Sequence, residues 1–191
     1  MILVVGGHSR NIGKTSVVTG LIQAVPEGHW TAVKITRHLH QIGSDAARCD
    51  APYALSRQTI ADRTDSGRYL AAGARRSYWL RTGTGDLKPA LPALGEILES
   101  SENAIVESNS VLQFIKPDLY LVVLDLSVSD LKESSGRYMD SADAFVCIDR
   151  GVVAPSWKSA VAGRLAEKPR FPAVSPDYVS AELAQFIRKK L

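Results

Sequence analysis

The sequence has little of what marks several classes of protein. Its two cysteines, Cys49 and Cys147, are too few for a disulfide framework. Cys147 lies in an apolar run and is expected to be a small core residue. No apolar run approaches the roughly 20 residues that a membrane-spanning helix needs, and no basic leader precedes the first apolar run. We therefore expect a cytoplasmic protein with no membrane partner.

The sequence also lacks a large excess of either positive or negative charge. The chain has 23 basic and 20 acidic residues, interspersed, and a formal net charge of +3. Its one basic run, 188–190, is better explained as a solvated helix end than as a nucleic-acid site, so no nucleic-acid partner is expected. With 191 residues, 45% of them hydrophobic, and no internal repeat or linker, the chain is predicted to form a single domain over 1–191.

The strongest functional pattern lies in residues 1–17. An apolar run ends in two glycines, and Gly13-Lys14-Thr15 then opens an amphipathic helix, which is the order of a phosphate-binding loop between a strand and a helix. Glycines let backbone amides approach phosphate oxygens at the positive end of the helix. Lys14 would reach the β- and γ-phosphates, and the Thr15 hydroxyl would bind Mg²⁺. A glycine turn followed by a chance Gly-Lys-Thr is the alternative. The predicted ligand is GTP or ATP with Mg²⁺, and the predicted contact residues are Gly7, His8, Ser9, Arg10, Asn11, Ile12, Gly13, Lys14, Thr15 and Ser16.

The glycine spacing departs from the usual loop. The common pattern requires glycine at position 8, where this chain has His8, and Gly7 leaves five residues before Gly13. The same spacing occurs in dethiobiotin synthetase-like P-loop proteins. The chain therefore resembles the branch that includes dethiobiotin synthetase, the metal-chaperone GTPases and the molybdopterin-guanine dinucleotide biosynthesis adaptor, MobB. This resemblance implies an α/β, three-layer P-loop NTPase fold with a mainly parallel central sheet flanked by helices.

A lysine interrupts the second predicted strand, Trp30–Ile35. Lys34 lies near its carboxyl end, where parallel strands face the ligand crevice, so it is a candidate anchor for substrate or phosphate. The alternative is a lysine that extends to solvent. The long segment that follows, to about Pro52, is expected to be a loop facing phosphate or substrate. It also contains potential transition-metal ligands, although their spacing matches no closed zinc pattern: His38, His40, Asp45 and Cys49.

Residues 64–74 have the composition of a short capped helix that ends at a glycine. In MobB-like proteins a histidine-containing loop is followed by a similar Asp-Ser-x-Arg segment and by Ala-Gly-Ala. This chain has Asp65-Ser66-Gly67-Arg68 and Ala72-Gly73-Ala74 in that order. The resemblance implies that Asp65 and Arg68 face the nucleotide, whereas a helix cap and a solvated arginine would account for the same residues without function.

A short apolar strand over 103–106 leads into Glu107. In P-loop proteins a carboxylate at such a strand end holds Mg²⁺ directly or through water. The related families have Glu-Gly here, and this chain has Glu107-Ser108. We predict Thr15 and Glu107 as the metal site, and Lys14, Glu107 and the in-loop cation Arg10 as the catalytic residues. Asn109 is a weaker candidate, and Asp125 ends a further buried strand, where it either faces the crevice or caps the loop.

Periodicity and turn residues predict the remaining elements. Helices are expected at 14–24, weakly at 52–63, and at 87–102, 129–140, 157–166 and 180–190, and strands at 77–81, 117–125, 144–148 and 170–174. The loops 148–151 and 175–177 are candidates for base contacts. No Asn-Lys-x-Asp tetrad is present, so the choice between guanine and adenine stays open.

Three functions fit these features. The first is a MobB-like nucleotide-binding adaptor and slow Mg²⁺-dependent NTP hydrolase in molybdenum cofactor maturation, with a cofactor-biosynthesis protein as partner. The second is an ATP-dependent ligase or kinase resembling dethiobiotin synthetase, in which Lys34 anchors the acceptor. The third is a non-enzymatic module whose loop binds phosphate structurally. The sequence leaves a homodimer open.

Overall fold

The computed structural model describes residues 1–37, 52–83, 86–128, 138–153 and 167–191. Within these ranges the chain alternates strands and helices. The strands are β1 (Ile2–Gly7), β2 (Trp30–Thr36), β3 (Tyr53–Gln58), β4 (Arg76–Thr82), β5 (Asn103–Glu107), β6 (Leu119–Asp125), β7 (Ala144–Ile148) and β8 (Arg170–Ala173). The helices are α1 (Lys14–Ala24), α2 (Asp65–Ala71), α3 (Leu91–Glu99) and α4 (Ala181–Arg188).

All eight strands form one sheet in the order β3-β4-β2-β5-β1-β6-β7-β8. Every neighbouring pair is parallel except β3 and β4, which are antiparallel. β1 lies in the interior between β5 and β6, and the carboxyl ends of the parallel strands meet at one edge of the sheet. The predicted mainly parallel α/β fold is confirmed.

Helices cover both faces of this sheet, which is why its central strands are mostly apolar. Lys34 on β2 and Glu107 on β5 are charged exceptions near the carboxyl ends of their strands. On β1, Leu3 and Val5 point into a core shared with α1 and α4. Val4 points into a second core, shared with α3. The third layer that the sequence predicted is therefore present.

Helix α1 has the bounds predicted from its apolar spacing, Lys14–Ala24, and its predicted inner face is buried: Val17, Val18, Leu21 and Ile22. It also packs closely against the chain that precedes α4. A Cβ added at Gly20 would lie 2.9 Å from the Asp177 carbonyl oxygen, so only glycine fits this crossing without a shift.

Two predicted helices differ from the structure. The prediction of a weak helix over 52–63 was wrong, because Tyr53–Gln58 is an edge strand paired with β4. Tyr53 and Leu55 on its inner face pack against the second core, and this long-range contact overrides a weak local preference. The predicted helix 87–102 is shorter, since α3 spans Leu91–Glu99 and follows a 3-10 turn at Lys88–Ala90. The predicted helix 157–166, and all but the end of the helix 129–140, lie outside the described residues.

Candidate functional site

The loop between β1 and α1 turns through two left-handed residues. Asn11 has φ 58° and Gly13 has φ 91°, a region that glycine enters without strain and asparagine tolerates. Helix α1 begins at the next residue, Lys14. The Lys14 Nζ donates a hydrogen bond of 2.6 Å to the Ser9 carbonyl oxygen across the loop. The lysine therefore spans the concave side of the loop, where an anion would sit.

Asn109 fixes the start of this loop. Its Oδ1 accepts from the Gly7 amide at 2.9 Å, and its Nδ2 donates to the Gly7 carbonyl oxygen at 2.9 Å. The same Oδ1 would lie 2.1 Å from a Cβ at Gly6, so the side chain needs a glycine there. The two hydrogen bonds join the segment after β5 to the end of β1.

Glu107 is the shared acceptor of the site. It ends β5, opposite Val5 of β1 on one side and Lys34 of β2 on the other, and is 2% exposed. Its Oε2 accepts from the Thr15 hydroxyl at 2.9 Å and from the Tyr69 hydroxyl, and its Oε1 accepts from the Lys34 Nζ at 2.6 Å. Three donors from α1, β2 and α2 thus hold one buried carboxylate.

Lys34 is part of a second ion pair in the same cluster. Its Nζ lies 2.7 Å from the Asp65 Oδ2 and 3.3 Å from the Thr15 Oγ1. Burial lowers the pKa of Lys34, but attraction to Glu107 and hydrogen bonds to Asp65 and Glu107 outweigh it, so the pKa is raised above its ordinary value. The lysine is therefore charged at neutral pH.

Helix α2 places three side chains on this cluster. Asp65, Arg68 and Tyr69 follow the i, i+3, i+4 spacing of one helix face. The Arg68 Nη2 donates to the Ser16 Oγ at 3.2 Å, and its Nη1 lies 3.9 Å from the Asp65 Oδ1. Burial, followed by the charge of Glu107, holds the pKa of Tyr69 well above its usual range. The Tyr69 hydroxyl therefore stays protonated and donates to Glu107.

Except for the buried Tyr69, these groups line one cavity of about 620 Å³ at the carboxyl edge of the sheet. Most of the residues predicted as the site border it: Gly7, Ser9, Arg10, Asn11, Gly13, Lys14, Thr15, Ser16, Lys34, Asp65, Arg68 and Glu107. The other bordering residues come from the ends of β2 and β5: Ile35, Thr36, Arg37, Ser108, Asn109 and Ser110.

Two predicted contact residues, His8 and Ile12, do not border the cavity. His8 is fully buried, and its Nε2 accepts from the Asp125 amide at 3.1 Å. Ile12 is 1% exposed and packs in the core beneath α1. Both side chains support the loop from behind, so the substitution of His8 for the usual glycine leaves the concave side open.

Asp125 caps its own loop and does not border the cavity. Its Oδ1 accepts from the amide of Ser127 at 3.1 Å, and its Oδ2 accepts from the Nε of Arg150 at 2.6 Å. Burial raises the pKa of Asp125, but these hydrogen bonds and the charge of Arg150 outweigh it and lower the pKa below its ordinary value.

The described residues contain no group of three or more His, Cys, Asp or Glu side chains that could hold a metal ion. The potential metal ligands of the loop after β2 (His38, His40, Asp45 and Cys49) lie outside the described ranges. Cys147 is a free, half-buried thiol on β7, and burial raises its pKa. Among the helices that the structure describes, none is long and apolar enough to cross a membrane.

Comparison with solved structures identifies the architecture. HypB from Helicobacter pylori, solved in complex with nickel, is 15% identical, with a TM-score of 0.54, and the match covers 98% of this chain and 86% of that one. LpxK from Aquifex aeolicus, solved with ATP, is 18% identical, with a TM-score of 0.51, over 90% of this chain and 53% of that one. Both are P-loop NTPases. This chain has the P-loop NTPase fold.

A third P-loop structure, the YjiA GTPase in a zinc-bound mutant form, is 14% identical, with a TM-score of 0.48, over 96% of this chain and 60% of that one. No protein-family model matches the chain, and no curated protein sequence matches it.

Sequence reasoning did not identify one residue of the candidate site, Tyr69, and gave another, Asn109, too little weight. Tyr69 was not identified, although its i+4 position from Asp65 on α2 was a usable signal. Asn109 was only a weaker candidate, yet it makes both side-chain hydrogen bonds to Gly7. Neither role follows from the P-loop pattern itself, because both depend on how β5 and α2 pack against the loop.

Proposed function

We propose that this chain binds a nucleoside triphosphate, GTP or ATP, in the loop between β1 and α1. One observation carries the proposal: Lys14 spans the loop while Thr15, at the start of α1, is hydrogen-bonded to the strand-end carboxylate of Glu107. Lys14 would bind the β- and γ-phosphates, and the loop amides at the start of α1 would bind phosphate oxygens.

Magnesium fits the oxygen donors at this position. A threonine hydroxyl and a carboxylate are hard ligands of the kind that Mg²⁺ prefers. Because both oxygens of Glu107 already accept hydrogen bonds, we assign Thr15 to the ion directly and Glu107 to it through water. When bound, Mg²⁺ would neutralise charge on the β- and γ-phosphates. Thr15 and Glu107 would orient it.

Slow hydrolysis is the activity that this site supports best. Lys14 and the in-loop Arg10 would stabilise charge on the transferred phosphoryl group, and Glu107 would position water. The described residues that border the cavity include no glutamine to orient an attacking water. We therefore infer a weak NTPase whose turnover depends on a partner.

The MobB-like assignment is the finer part of the proposal. The residues that suggested it lie together: Lys34, Asp65 and Arg68 border the same cavity as the loop between β1 and α1. On this basis we propose an adaptor in molybdenum cofactor biosynthesis that acts with another cofactor-biosynthesis protein. A homodimer would be compatible with that role.

A second candidate is an ATP-dependent ligase or kinase like dethiobiotin synthetase. The cationic cavity wall around Lys34 and Arg68 favours it, since an acceptor with a carboxylate or phosphate could bind there. The two functions differ in coupling. A sharp rise in ADP release with one acceptor would identify a transferase, whereas basal hydrolysis alone would identify an adaptor.

Calorimetric titration of GTP and ATP, with and without Mg²⁺, tests the nucleotide site. Lys14→Ala should weaken binding at least tenfold, because the lysine spans the concave side of the loop, where the phosphates are predicted to bind. Lys116→Ala is the matched control, since Lys116 is exposed and does not border the cavity. Equal affinity in the wild type and Lys14→Ala would refute the proposal.

A further inference from the structure

We propose that the ammonium group of Lys34 competes with free Mg²⁺ for the oxygens of Thr15 and Glu107, so that the protein takes up the ion only together with a triphosphate. This inference rests on the proposed nucleotide site. It concerns the order in which the two ligands of that site bind, and it assigns to Lys34 the exclusion of the free ion.

The oxygens around the Lys34 Nζ include those predicted to hold the metal ion. The Nζ lies 2.6 Å from the Glu107 Oε1, 2.7 Å from the Asp65 Oδ2 and 3.3 Å from the Thr15 Oγ1. An ammonium group has three protons, so these three contacts use all of its donors. Carboxylate and hydroxyl oxygens are also the ligands that Mg²⁺ prefers. The lysine and the ion therefore need the same oxygen atoms.

The burial of Glu107 makes this competition an exchange of one positive charge for another. The Glu107 side chain is 2% exposed, and a buried carboxylate that loses its countercharge destabilises the protein. Lys34 can therefore leave the Oε1 only when another donor and another positive charge replace it. The Thr15 and Tyr69 hydroxyls both donate to the Oε2. Only the Oε1 has to change its donor, from the lysine to a water molecule of the hydrated ion.

Asp65 gives Lys34 a partner outside the metal position. It is the first residue of α2, and its side chain is 42% exposed, so a lysine paired with Asp65 alone is not left uncompensated. A free ion beside Thr15 would still repel the nearby ammonium group, because both are positive and the site is partly buried. A triphosphate brings negative charge that offsets this repulsion. The site should therefore select the Mg²⁺–nucleotide complex over the free ion.

The test measures the binding of Mn²⁺, a spectroscopic substitute for Mg²⁺, to the full chain without nucleotide, by electron paramagnetic resonance. Lys34→Met keeps a long unbranched side chain but removes its charge, so this variant should bind Mn²⁺ about tenfold more tightly than the wild type, or better. Lys116→Met, at an exposed lysine that does not border the cavity, is the matched control and should bind Mn²⁺ like the wild type. Lys34→Met combined with Glu107→Gln should lose the gain.

Two results would overturn the inference: a Lys34→Met protein that binds Mn²⁺ no more tightly than the wild type, or a double variant that binds it as tightly as Lys34→Met. If Lys34→Met is unfolded because Glu107 lacks a countercharge, added Mg²⁺ should refold it at constant ionic strength, as measured by circular dichroism. A variant that stays unfolded in Mg²⁺ would contradict the exchange.

Calorimetry on the wild type, with Mg²⁺ and a non-hydrolysable triphosphate analogue, separates this inference from the proposed function. If the analogue binds but Lys34→Met gains no affinity for the metal, the competition is refuted and the nucleotide site stands. If the analogue fails to bind the wild type, the nucleotide site and this inference are both refuted.

Discussion

Glu107 concentrates three structural roles in one carboxylate. It holds the Thr15 hydroxyl at the start of α1, it pairs with Lys34 of β2, and it accepts from the buried Tyr69 of α2. A buried carboxylate needs such donors, because an unpaired charge in the interior is costly. The same donors fix the orientation of the carboxylate at the carboxyl end of β5.

Replacing Tyr69 by phenylalanine should destabilise the protein. The substitution keeps the packing of the ring but removes the hydroxyl that donates to Glu107, and hydrogen bonds to charged groups contribute roughly 1.5–3 kcal/mol. Urea unfolding measures the change in the free energy of unfolding. Because Glu107 would also be less well oriented, the Mg²⁺ concentration needed for half-maximal nucleotide binding should rise.

Tyr78→Phe is the control for this experiment. The Tyr78 hydroxyl has no hydrogen-bond partner among the described residues, and the ring packs against the second core. Its removal should change stability by about 0.5 kcal/mol or less. Equal losses in both variants would contradict the role assigned to Tyr69.

Single residues also show how far sequence reasoning reached. Lys34 and Glu107 could be predicted, because a charged residue that ends an apolar parallel strand lies at the edge of the sheet where ligands bind. The inward orientation of the His8 and Ile12 side chains could not be predicted. The spacing of the glycines indicates the path of the loop backbone, but it does not indicate which side chains turn toward the core. Their contacts with β6 and with the core beneath α1 are tertiary.

Helix α2 is seven residues long and contributes Asp65, Arg68 and Tyr69 to the cluster around Glu107 and Lys34. The side chain of Thr64 caps its start. The Thr64 hydroxyl accepts from the Gly67 amide at 3.1 Å. Helix α4 has the same kind of cap, in which the Ser180 Oγ accepts from the Leu183 amide at 3.2 Å, but it lies away from the cavity. The two caps are the same kind of hydrogen bond, and the Thr64 hydroxyl also donates to Asp62.

Thr64→Ala and Ser180→Ala should each lower the free energy of unfolding by about 1 kcal/mol, the usual effect of losing an N-cap. Only Thr64→Ala should also weaken nucleotide binding, because α2 positions Asp65, Arg68 and Tyr69. Thermal unfolding and calorimetry on both variants provide the measurements. A Ser180→Ala protein with equally weakened binding would show that general stability, and not α2, controls the site.

The crossing of α1 over the segment before α4 reverses the usual effect of a glycine substitution. Gly95→Ala in α3 should stabilise the protein by roughly 0.5–1 kcal/mol, since nothing lies within 4 Å of the added Cβ. Gly20→Ala should destabilise it despite the better helix propensity, because the Cβ would meet the Asp177 carbonyl oxygen and Val179. Chemical denaturation measures the change in the free energy of unfolding for each variant. A Gly20→Ala protein more stable than the wild type would refute the close packing.

Element prediction succeeded where the local signal and the tertiary role agree. The strands β1, β2, β5, β6 and β7 are mostly apolar, because helices cover both faces of the sheet, and on β2 only the charge of Lys34 interrupts this pattern. β3 lacks such a run. It alternates Tyr53 and Leu55 with smaller or polar residues, and only its antiparallel pairing with β4 makes it a strand.

At the scale of the whole molecule, the carboxyl edge of the sheet carries buried charge on both sides of β1. Glu107 lies on the β5 side, and Asp125, whose side chain is 2% exposed and paired with Arg150, lies at the end of β6. The lowered pKa of Asp125 makes the Asp125–Arg150 pair sensitive to acid.

Asp125→Asn should remove a pH-dependent part of the stability. A carboxyl group whose pKa is lower in the folded state stabilises the protein above its unfolded pKa of about 3.9, and this contribution is lost as the pH falls through the folded pKa. The difference in stability between the wild type and Asp125→Asn should therefore be constant near pH 7 and shrink below about pH 4. Unfolding curves across this pH range measure it, and a difference that grows on acidification would contradict the assignment.

The strand order has a consequence for protein synthesis. β5 is inserted between β1 and β2, both of which are made well before it, and it carries the carboxylate to which Thr15 and Lys34 attach. A nascent polypeptide that has left the ribosome only as far as α3 already contains the whole loop between β1 and α1. It still lacks β5, the strand that joins β1 to β2 in the sheet. The hydrogen bonds of Thr15 and Lys34 to Glu107 can form only once residues 103–107 have emerged and paired between the two strands.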